Sequence, residues 1–132
     1  MIYIDTSALV KLVVAEQESS HLIDWLNSRQ DQPLVTSVVG HIELVRVAGR
    51  VGEVETAAAQ HLAATVDTLT LSDSIANYAA TLSLATLRTL DAIHLATAHE
   101  YRQDLSTLCA YDHRLIEAAR SHRLPVTSPG AG

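Results

Sequence analysis

The sequence contains a single cysteine, and this scarcity excludes an internal disulfide bond. Cys109 stands in the apolar stretch "TLCAY", where a buried and inert thiol is the expected state. No run of 18 apolar residues occurs, so the sequence predicts no membrane-spanning helix. The first residues, "MIYIDTSALV", have no basic region ahead of their apolar residues and do not resemble a signal peptide. We therefore expect a cytoplasmic protein in a reducing compartment.

Repeats, low-complexity tracts and internal linkers are also absent from the sequence. A chain of 132 residues with a hydrophobic fraction of 48% is long enough and apolar enough to bury a core. Only the final stretch "TSPGAG" has the composition of a loose end. We expect a single domain over residues 1–127, followed by a loose C-terminal tail over residues 128–132.

Lysine is scarce, because Lys11 is the one lysine among nine basic residues. Fifteen acidic residues give a formal net charge of -6 at pH 7. A negative balance counts at first against nucleic-acid binding.

Short strand-like runs alternate with longer helical ones, and this alternation predicts a parallel sheet with helices on both faces. Five strands are predicted, at "MIYI", "PLVTS", "VDTLTL", "STLCAY" and "LPVTS". Six or seven helices are predicted around them, among them residues 6–14, "HLIDWLNSR", "HIELVRVAG", "EVETAAAQHLAAT", "SDSIANYAATLSLAT", "TLDAIHLATA" and "DHRLIEAARSH". The glycines of "GRVG" predict a turn before the helix "EVETAAAQHLAAT".

Several acidic residues fall where open parallel sheets bind their ligands, beyond the carboxyl ends of the strands. Asp5 directly follows the first predicted strand, and Asp112 directly follows "STLCAY". Glu43 lies on the apolar helix that leaves the second strand, and Asp91 stands at the front of an Ala-rich helix. Asp73 follows the third strand, but its place in "SDS" is better explained by a helix cap.

The aspartates also have a purely structural interpretation. Aspartate is a favoured N-cap, because its carboxylate accepts a hydrogen bond from a free backbone N–H and its charge suits the helix dipole. Asp5, Asp112 and Asp91 could therefore serve only as caps.

Glu43 is harder to explain structurally, because an unpaired carboxylate among apolar residues is costly. The structural alternative is an ion pair with His41 or Arg46.

Carboxylates that share one pocket repel each other unless a cation lies between them. Oxygen ligands alone select a hard divalent ion, Mg²⁺ or Mn²⁺. The sequence has no Cys and His set at zinc-ligand spacing, and its seven histidines are scattered. His94, three residues after Asp91, is expected to be a packed helix residue. An acidic pocket with Mg²⁺ suits phosphodiester cleavage, because the ion lowers the pKa of a bound water and neutralises phosphate charge.

Four stretches carry a resemblance to a known family. "IDTSALVKL", "TSVVGHIELVR", "LRTLDAIHLATA" and "AYDHRL" occur in the order and spacing of PIN-domain ribonucleases, and the chain most resembles VapC toxins of type II toxin–antitoxin systems. "LRTLDAIHLATA" is the most specific of them, and the resemblance extends from residue 1 to about residue 126. It implies a PIN-like three-layer α/β/α fold with a parallel sheet of about five strands in the order 3-2-1-4-5.

The resemblance also implies the site residues. Asp5, Glu43, Asp91 and Asp112 would be both the catalytic residues and the ligands of Mg²⁺ or Mn²⁺. In that strand order Asp5 and Asp112 face each other across the crevice at the topological switch point. Asp91 would cap its helix and bind metal together, since a carboxylate has two oxygens. Ser7 matches a small hydroxyl position of the family and would support the metal-bound water.

One position departs from the family pattern. The family often carries Thr or Ser two residues before its last aspartate, where this chain has Ala110. The four acids remain intact, but one polar support is missing, and the last metal ligand is expected to be weaker for it.

The negative net charge counts less strongly against nucleic-acid binding if four of the acidic residues bind a metal. Without four metal-binding acids, 11 acidic residues remain against nine basic ones, a balance of -2. Arg46, Arg88 and Arg114 each lie within three residues of a predicted ligand. They either contact RNA phosphates through forked hydrogen bonds or form surface ion pairs.

The resemblance implies a metal-dependent endoribonuclease of the toxin type, with RNA as its substrate. It also implies a homodimer, within a larger toxin–antitoxin assembly, that is neutralised by a small VapB-like antitoxin. Two alternatives remain open at this point: a PIN nuclease of RNA processing without a toxin role, and a non-catalytic adaptor that binds RNA or protein. An adaptor would be expected to lack one of the acids, and none is missing.

Two other classes with an acidic Mg²⁺ pocket fit the sequence poorly. A response-regulator receiver needs a lysine after its last strand, and Lys11 is far from that position. A haloacid-dehalogenase-like phosphatase needs a second aspartate where this chain has Ser7.

Overall fold

A computed structural model describes residues 1–82 and 87–131. Within these residues, five short strands and seven helices form three layers, α/β/α. The strands are β1 (Ile2–Ile4), β2 (Leu34–Ser37), β3 (Asp67–Leu69), β4 (Thr107–Cys109) and β5 (Val126–Thr127). The helices are α1 (Thr6–Lys11), α2 (Ser19–Asn27), α3 (Val38–Val51), α4 (Glu53–Thr65), α5 (Asp73–Thr81), α6 (Thr89–Glu100) and α7 (His113–Ser121).

The sheet is parallel throughout, and its strand order is β3-β2-β1-β4-β5. This order confirms the one that the family resemblance implies. Tyr3 at the centre of β1 lies beside Val35 of β2 and Leu108 of β4. β1 and β4 are therefore neighbours at the point where the winding of the chain reverses, and ligand sites of such sheets lie there.

The sheet is buried on both faces, as a parallel sheet covered by helices must be. Successive side chains of β1 point to opposite faces. Ile2 and Ile4 pack in one core cluster with residues of α1 to α4, and Tyr3 packs in the other with residues of α5 to α7. The Cys109 thiol is fully buried in the first of these clusters, which confirms the sequence expectation. Burial raises the pKa of this thiol to about 12.

The starts of two helices differ from the sequence prediction. Asp91 does not cap α6, because the helix already begins at Thr89 with Arg88 as its N-cap residue. Asp91 lies in the first turn instead, where its negative charge still favours the helix dipole. Asp73 does not cap α5 either, since the hydroxyl of Ser72 accepts the hydrogen bond from Ile75 N. Serine caps as well as aspartate does, and Asp73 then takes a first-turn position.

The ends of several helices also differ from the sequence prediction. The predicted "GRVG" turn is shorter than expected, because α3 continues through Gly49 to Val51, and the N–H of its C-cap residue Gly52 donates to Ala48 O at 3.1 Å. The first helix was predicted over residues 6–14, but α1 ends at Lys11. The helix predicted to reach residue 86 ends at Thr81, and residues 83–86 lie outside the described residues.

The end of the chain packs against the segment that follows β4. The Ser128 hydroxyl donates to Ala110 O, and Tyr111 Oη donates to Pro129 O at 2.7 Å. Ser128 and Pro129 are half-buried. The loose tail over residues 128–132 stays a prediction. In the described part of the chain, no helix is long and apolar enough to cross a membrane.

Candidate active site

Asp5 lies at the centre of the candidate site, immediately after β1. It is the N-cap of α1, and its Oδ1 accepts a hydrogen bond from Ala8 N at 2.9 Å. The Ser7 hydroxyl lies 2.7 and 2.8 Å from the two carboxylate oxygens and donates to them. The same hydroxyl accepts from Tyr111 N at 3.0 Å. Ser7 thus orients Asp5 and joins the exit of β1 to the exit of β4.

Asp112 follows β4 and caps α7, as the sequence predicts. Its Oδ1 accepts from Arg114 N at 3.0 Å and from Leu115 N at 3.1 Å. Because β1 and β4 are adjacent, Asp112 and Asp5 lie at the same edge of the sheet. Two residues earlier, Ala110 is fully buried in the core, and its methyl group offers no polar support there.

Asp91 approaches the same edge from the first turn of α6 and is 8% exposed. Arg88 bridges it to Asp112: Nε donates to Asp91 Oδ2 at 3.3 Å, and Nη2 donates to Asp112 Oδ2 at 3.2 Å. Of the two roles predicted for Arg88, the structure therefore contains the ion pair. The side chains of Arg46 and Arg114 are exposed and make no ion pair with any residue that the structure describes.

Glu43 reaches the site from α3, on the other side of β1. Its Oε1 accepts a hydrogen bond of 2.6 Å from the Thr6 hydroxyl at the start of α1. The structural alternative, an ion pair of Glu43 with His41 or Arg46, does not occur among the described residues, because the carboxylate extends across the contact between α1 and α3 instead.

The acids influence one another electrostatically. The pKa of Asp5 is raised to about 7, chiefly by burial and also by the nearby carboxylates of Asp112 and Asp91, while the hydrogen bonds from Ala8 and Ser7 act to lower it. Ionised Asp5 is therefore costly in the protein alone, and a cation at this edge would relieve the cost.

The residues present fit a hard divalent ion chemically. All four candidate ligands offer carboxylate oxygens, and the guanidinium of Arg88 already forms an ion pair with two of them. Within residues 1–82 and 87–131, however, no three Asp, Glu, His or Cys side chains are close enough together to hold one ion as they stand. For all four carboxylates to hold one ion, Arg88 would release Asp91 and Asp112 and the carboxylates would move closer together.

Sequence reasoning missed two residues that hydrogen bonds connect to the site. Thr6 lies between Asp5 and Ser7 and looked like an ordinary first residue of a helix. Tyr3 lies inside β1 and looked like core. His94 is 2% exposed and packed, as predicted, but its ring joins these two residues. The one available signal was spacing, since Thr6 and His94 each lie within three residues of a predicted ligand.

Comparison with known proteins places the chain in a family. The model of the PIN domain matches residues 2–121. Ribonuclease VapC47 of Mycobacterium tuberculosis is 42% identical over 134 residues, which cover 99% of this chain and 98% of the relative. This chain belongs to the VapC family of PIN-domain proteins. Ribonuclease VapC35 of the same species is 41% identical to this VapC-family chain and covers 98% of both sequences.

Solved structures show the same fold at low sequence identity. VapC20 of Mycobacterium tuberculosis, a toxin that cleaves the sarcin–ricin loop, superimposes with a TM-score of 0.72 at 18% identity, over 89% of this chain and 95% of that one. VapBC2 of Rickettsia felis, bound to a DNA fragment from its promoter, gives a TM-score of 0.73 at 14% identity, over 96% and 98%. These similarities independently support the PIN fold of the VapC-family chain.

Proposed function

We propose that this VapC-family protein is the toxin of a type II toxin–antitoxin pair and acts as a metal-dependent endoribonuclease in the cytoplasm. The observation that carries the proposal is the placement of Asp5, Glu43, Asp91 and Asp112 around the carboxyl edge of β1 and β4, in a chain whose relatives are named ribonucleases. Nothing specific favours a role in RNA processing or as a non-catalytic adaptor.

The four carboxylates would hold Mg²⁺ or Mn²⁺. Such an ion, when bound, lowers the pKa of a coordinated water and neutralises charge on the scissile phosphate. The protein orients its ligands through the bonds already described: Ser7 and Ala8 N fix Asp5, and the first turn of α7 fixes Asp112.

Arg88 has a second role in this proposal. Its side chain is 67% exposed, so it would be free to leave Asp91 and Asp112 if a bound cation neutralised these two carboxylates. The freed guanidinium then contacts an RNA phosphate by a forked pair of hydrogen bonds. Arg46 and Arg114 are exposed close to the same acids and are further candidates for phosphate contacts.

The products should carry 5′-phosphate and 3′-hydroxyl ends, because the nucleophile is water. His94, the histidine that reaches the site through Thr6, has both ring nitrogens hydrogen-bonded inside the protein. It is therefore in no position to deprotonate a ribose 2′-hydroxyl.

The deciding experiment is to sequence RNA ends after brief expression of the wild type and, in parallel, of Asp5→Asn. New 5′-phosphate ends should accumulate after expression of the wild type but not of Asp5→Asn. EDTA should prevent the purified wild type from forming these ends. Products with 2′,3′-cyclic phosphate would contradict the mechanism.

The antitoxin and the oligomeric state belong to the same proposal. A small VapB-like partner would insert a C-terminal segment into the site, where an Arg or Lys side chain would meet four carboxylates and replace the cation. Such a segment would be disordered alone and fold on binding. The toxin itself would be a homodimer that contacts its copy through apolar helical surface.

A further inference from the structure

A continuous chain of side-chain hydrogen bonds runs from the centre of the sheet to Glu43. Tyr3 Oη lies 2.6 Å from His94 Nδ1, and His94 Nε2 lies 2.9 Å from Thr6 Oγ1. Thr6 Oγ1 in turn donates to Glu43 Oε1 at 2.6 Å. These hydrogen bonds thus connect β1, α6, α1 and α3, and each of them joins residues at least 37 positions apart in sequence.

Each bond in the chain has one possible direction. The Glu43 carboxylate only accepts, so the Thr6 hydroxyl uses its single proton there. Thr6 Oγ1 must then accept from His94, which places a proton on Nε2. In the neutral imidazole Nδ1 is left as an acceptor, and Tyr3 Oη donates to it. Burial lowers the pKa of His94 to about 4, which agrees with a neutral ring.

The interior end of the chain is held rigidly. Tyr3 and His94 are 0% and 2% exposed, and their rings pack edge to face with centroids 5.7 Å apart. Because neither ring has room to turn, the position of Thr6 Oγ1 is fixed relative to the sheet. The Glu43 end is half-buried, and a carboxylate with that exposure would otherwise be free to rotate in solvent.

The backbone of α3 is held against the same histidine. A Cβ atom at Gly40 would lie 2.5 Å from Thr36 Oγ1 and 3.0 Å from His94 Cε1, so glycine permits a close approach that another residue would prevent. Glu43 follows three residues later, on the same side of the helix. The close approach therefore fixes the position of the Glu43 backbone, and the hydrogen bond from the Thr6 hydroxyl fixes the position of its carboxylate.

We propose that Thr6, His94 and Tyr3 are positioning residues that hold Oε1 of Glu43 and so present the other carboxylate oxygen to the metal. This inference rests on the four-carboxylate site of the proposed function. It adds three residues that contact neither RNA nor the ion and act on the ion only through Glu43. Partners of this kind, behind a metal ligand, typically contribute about 10- to 100-fold to metal affinity.

The test measures Mn²⁺ binding to the purified protein without RNA, by isothermal titration calorimetry. Thr6→Val removes the hydroxyl at nearly constant shape and should weaken binding about tenfold or more. Thr6→Ser keeps the hydroxyl and should restore wild-type affinity. In a Glu43→Gln background, Thr6→Val should cause little further loss, because its effect passes through Glu43.

Thr107→Val is the matched control. Thr107 is a buried threonine, whereas Thr6 is half-buried, and the Thr107 hydroxyl is bonded at 2.7 Å to Thr127 on the neighbouring strand, away from the hydrogen bonds that lead to Glu43. This variant should bind Mn²⁺ as the wild type does. An equal loss in Thr107→Val and Thr6→Val would reduce the effect to general destabilisation and overturn the inference.

The outcomes separate the two proposals. If the wild type and Thr6→Val bind Mn²⁺ equally well, the positioning role is wrong and the metal site stands. If the wild type does not bind Mn²⁺, the metal site of the proposed function is wrong, and the positioning role falls with it.

A second measurement needs no variant. Nitrogen-15 NMR of the wild type should show His94 as the neutral tautomer with its proton on Nε2. A proton on Nδ1 instead would reverse the direction of the hydrogen bonds that His94 makes with Tyr3 and Thr6. That result would overturn the inference, whatever the stability of the variants.

Discussion

At the scale of single residues, Asp5 combines three demands on one carboxylate. It caps α1, it accepts the Ser7 hydroxyl, and it lies 3% exposed beside two further acids. The first two stabilise the fold, whereas the third costs stability as long as no cation is present. In the proposed metal site, the clustered carboxylates therefore make the metal-free protein less stable than it would be without their charges.

This balance predicts the behaviour of Asp5→Asn and Asp112→Asn. Both should abolish RNA cleavage yet raise the melting temperature of the metal-free protein, because asparagine caps a helix as well as aspartate and carries no charge. The measurement is thermal unfolding in EDTA and again with Mg²⁺. At a hundred times its Kd, the ion should stabilise the wild type by about 2.7 kcal/mol and the variants much less. Equal shifts in all three proteins would contradict a shared site.

Arg88 leads to a second prediction at this scale. Arg88 pairs with Asp91 and Asp112, so in the proposed site it competes with the metal for these two carboxylates. Arg88→Gln should therefore tighten Mn²⁺ binding while weakening RNA binding. Ion pairs of an exposed side chain such as Arg88 contribute at most about 1 kcal/mol each, so the loss of two pairs should raise the affinity by no more than about 30-fold. Calorimetry and filter binding measure the two effects. Arg120→Gln, at the exposed last turn of α7, is the control and should change neither. Weaker Mn²⁺ binding by Arg88→Gln would show that Arg88 supports the metal rather than competing with it.

At the scale of elements, the close approach of α3 to α6 depends on Gly40. Gly40→Ala would force the new methyl group against the stiff side chain of Thr36 and against His94. We expect a loss of about 1–3 kcal/mol in the free energy of unfolding, as for other overpacked sites. Metal affinity should fall as well, because Glu43 moves with the helix.

Gly49→Ala is the matched control within the same helix. Gly49 is exposed, and a Cβ atom there would meet only Thr56 Oγ1, at 4.0 Å. Alanine should therefore stabilise α3 by about 0.5–1 kcal/mol through its higher helix propensity. Urea unfolding of the two variants measures both changes, and a stabilised Gly40→Ala would contradict the tight packing.

At the scale of the whole molecule, a toxin should be harmful alone and harmless with its partner. Expression of the wild type alone should arrest growth, and Asp91→Ala should not, since it removes one of the four acids. Co-expression of the neighbouring small open reading frame should restore growth, and its product should co-purify with this protein. A wild type that is harmless alone, beside a frame whose product does not bind it, would remove the toxin assignment and leave a PIN-family nuclease.

The sheet and the acids could be predicted from the sequence because their signals are local. The period of apolar residues distinguishes strand from helix, and an aspartate just after a strand marks both a helix cap and the ligand edge of a parallel sheet. Asp5 and Asp112 carry both signals, and both do cap their helices. The strand order is less local, and it followed from family resemblance rather than from any pattern within the chain.

The partners that lie far from these acids in sequence were decided by tertiary structure alone. Thr6 forms hydrogen bonds with Glu43, which is 37 positions away in sequence, and with His94, which is 88 positions away. Arg88 forms one with Asp112, which is 24 positions away. No periodicity or capping rule relates residues at such separations, because they come together only when α1, α3, α6 and α7 pack on one sheet edge. Composition and local pattern therefore determined which groups this protein brings to its site. Packing determined which of them touch, since a hydrogen bond forms or fails over a few tenths of an ångström.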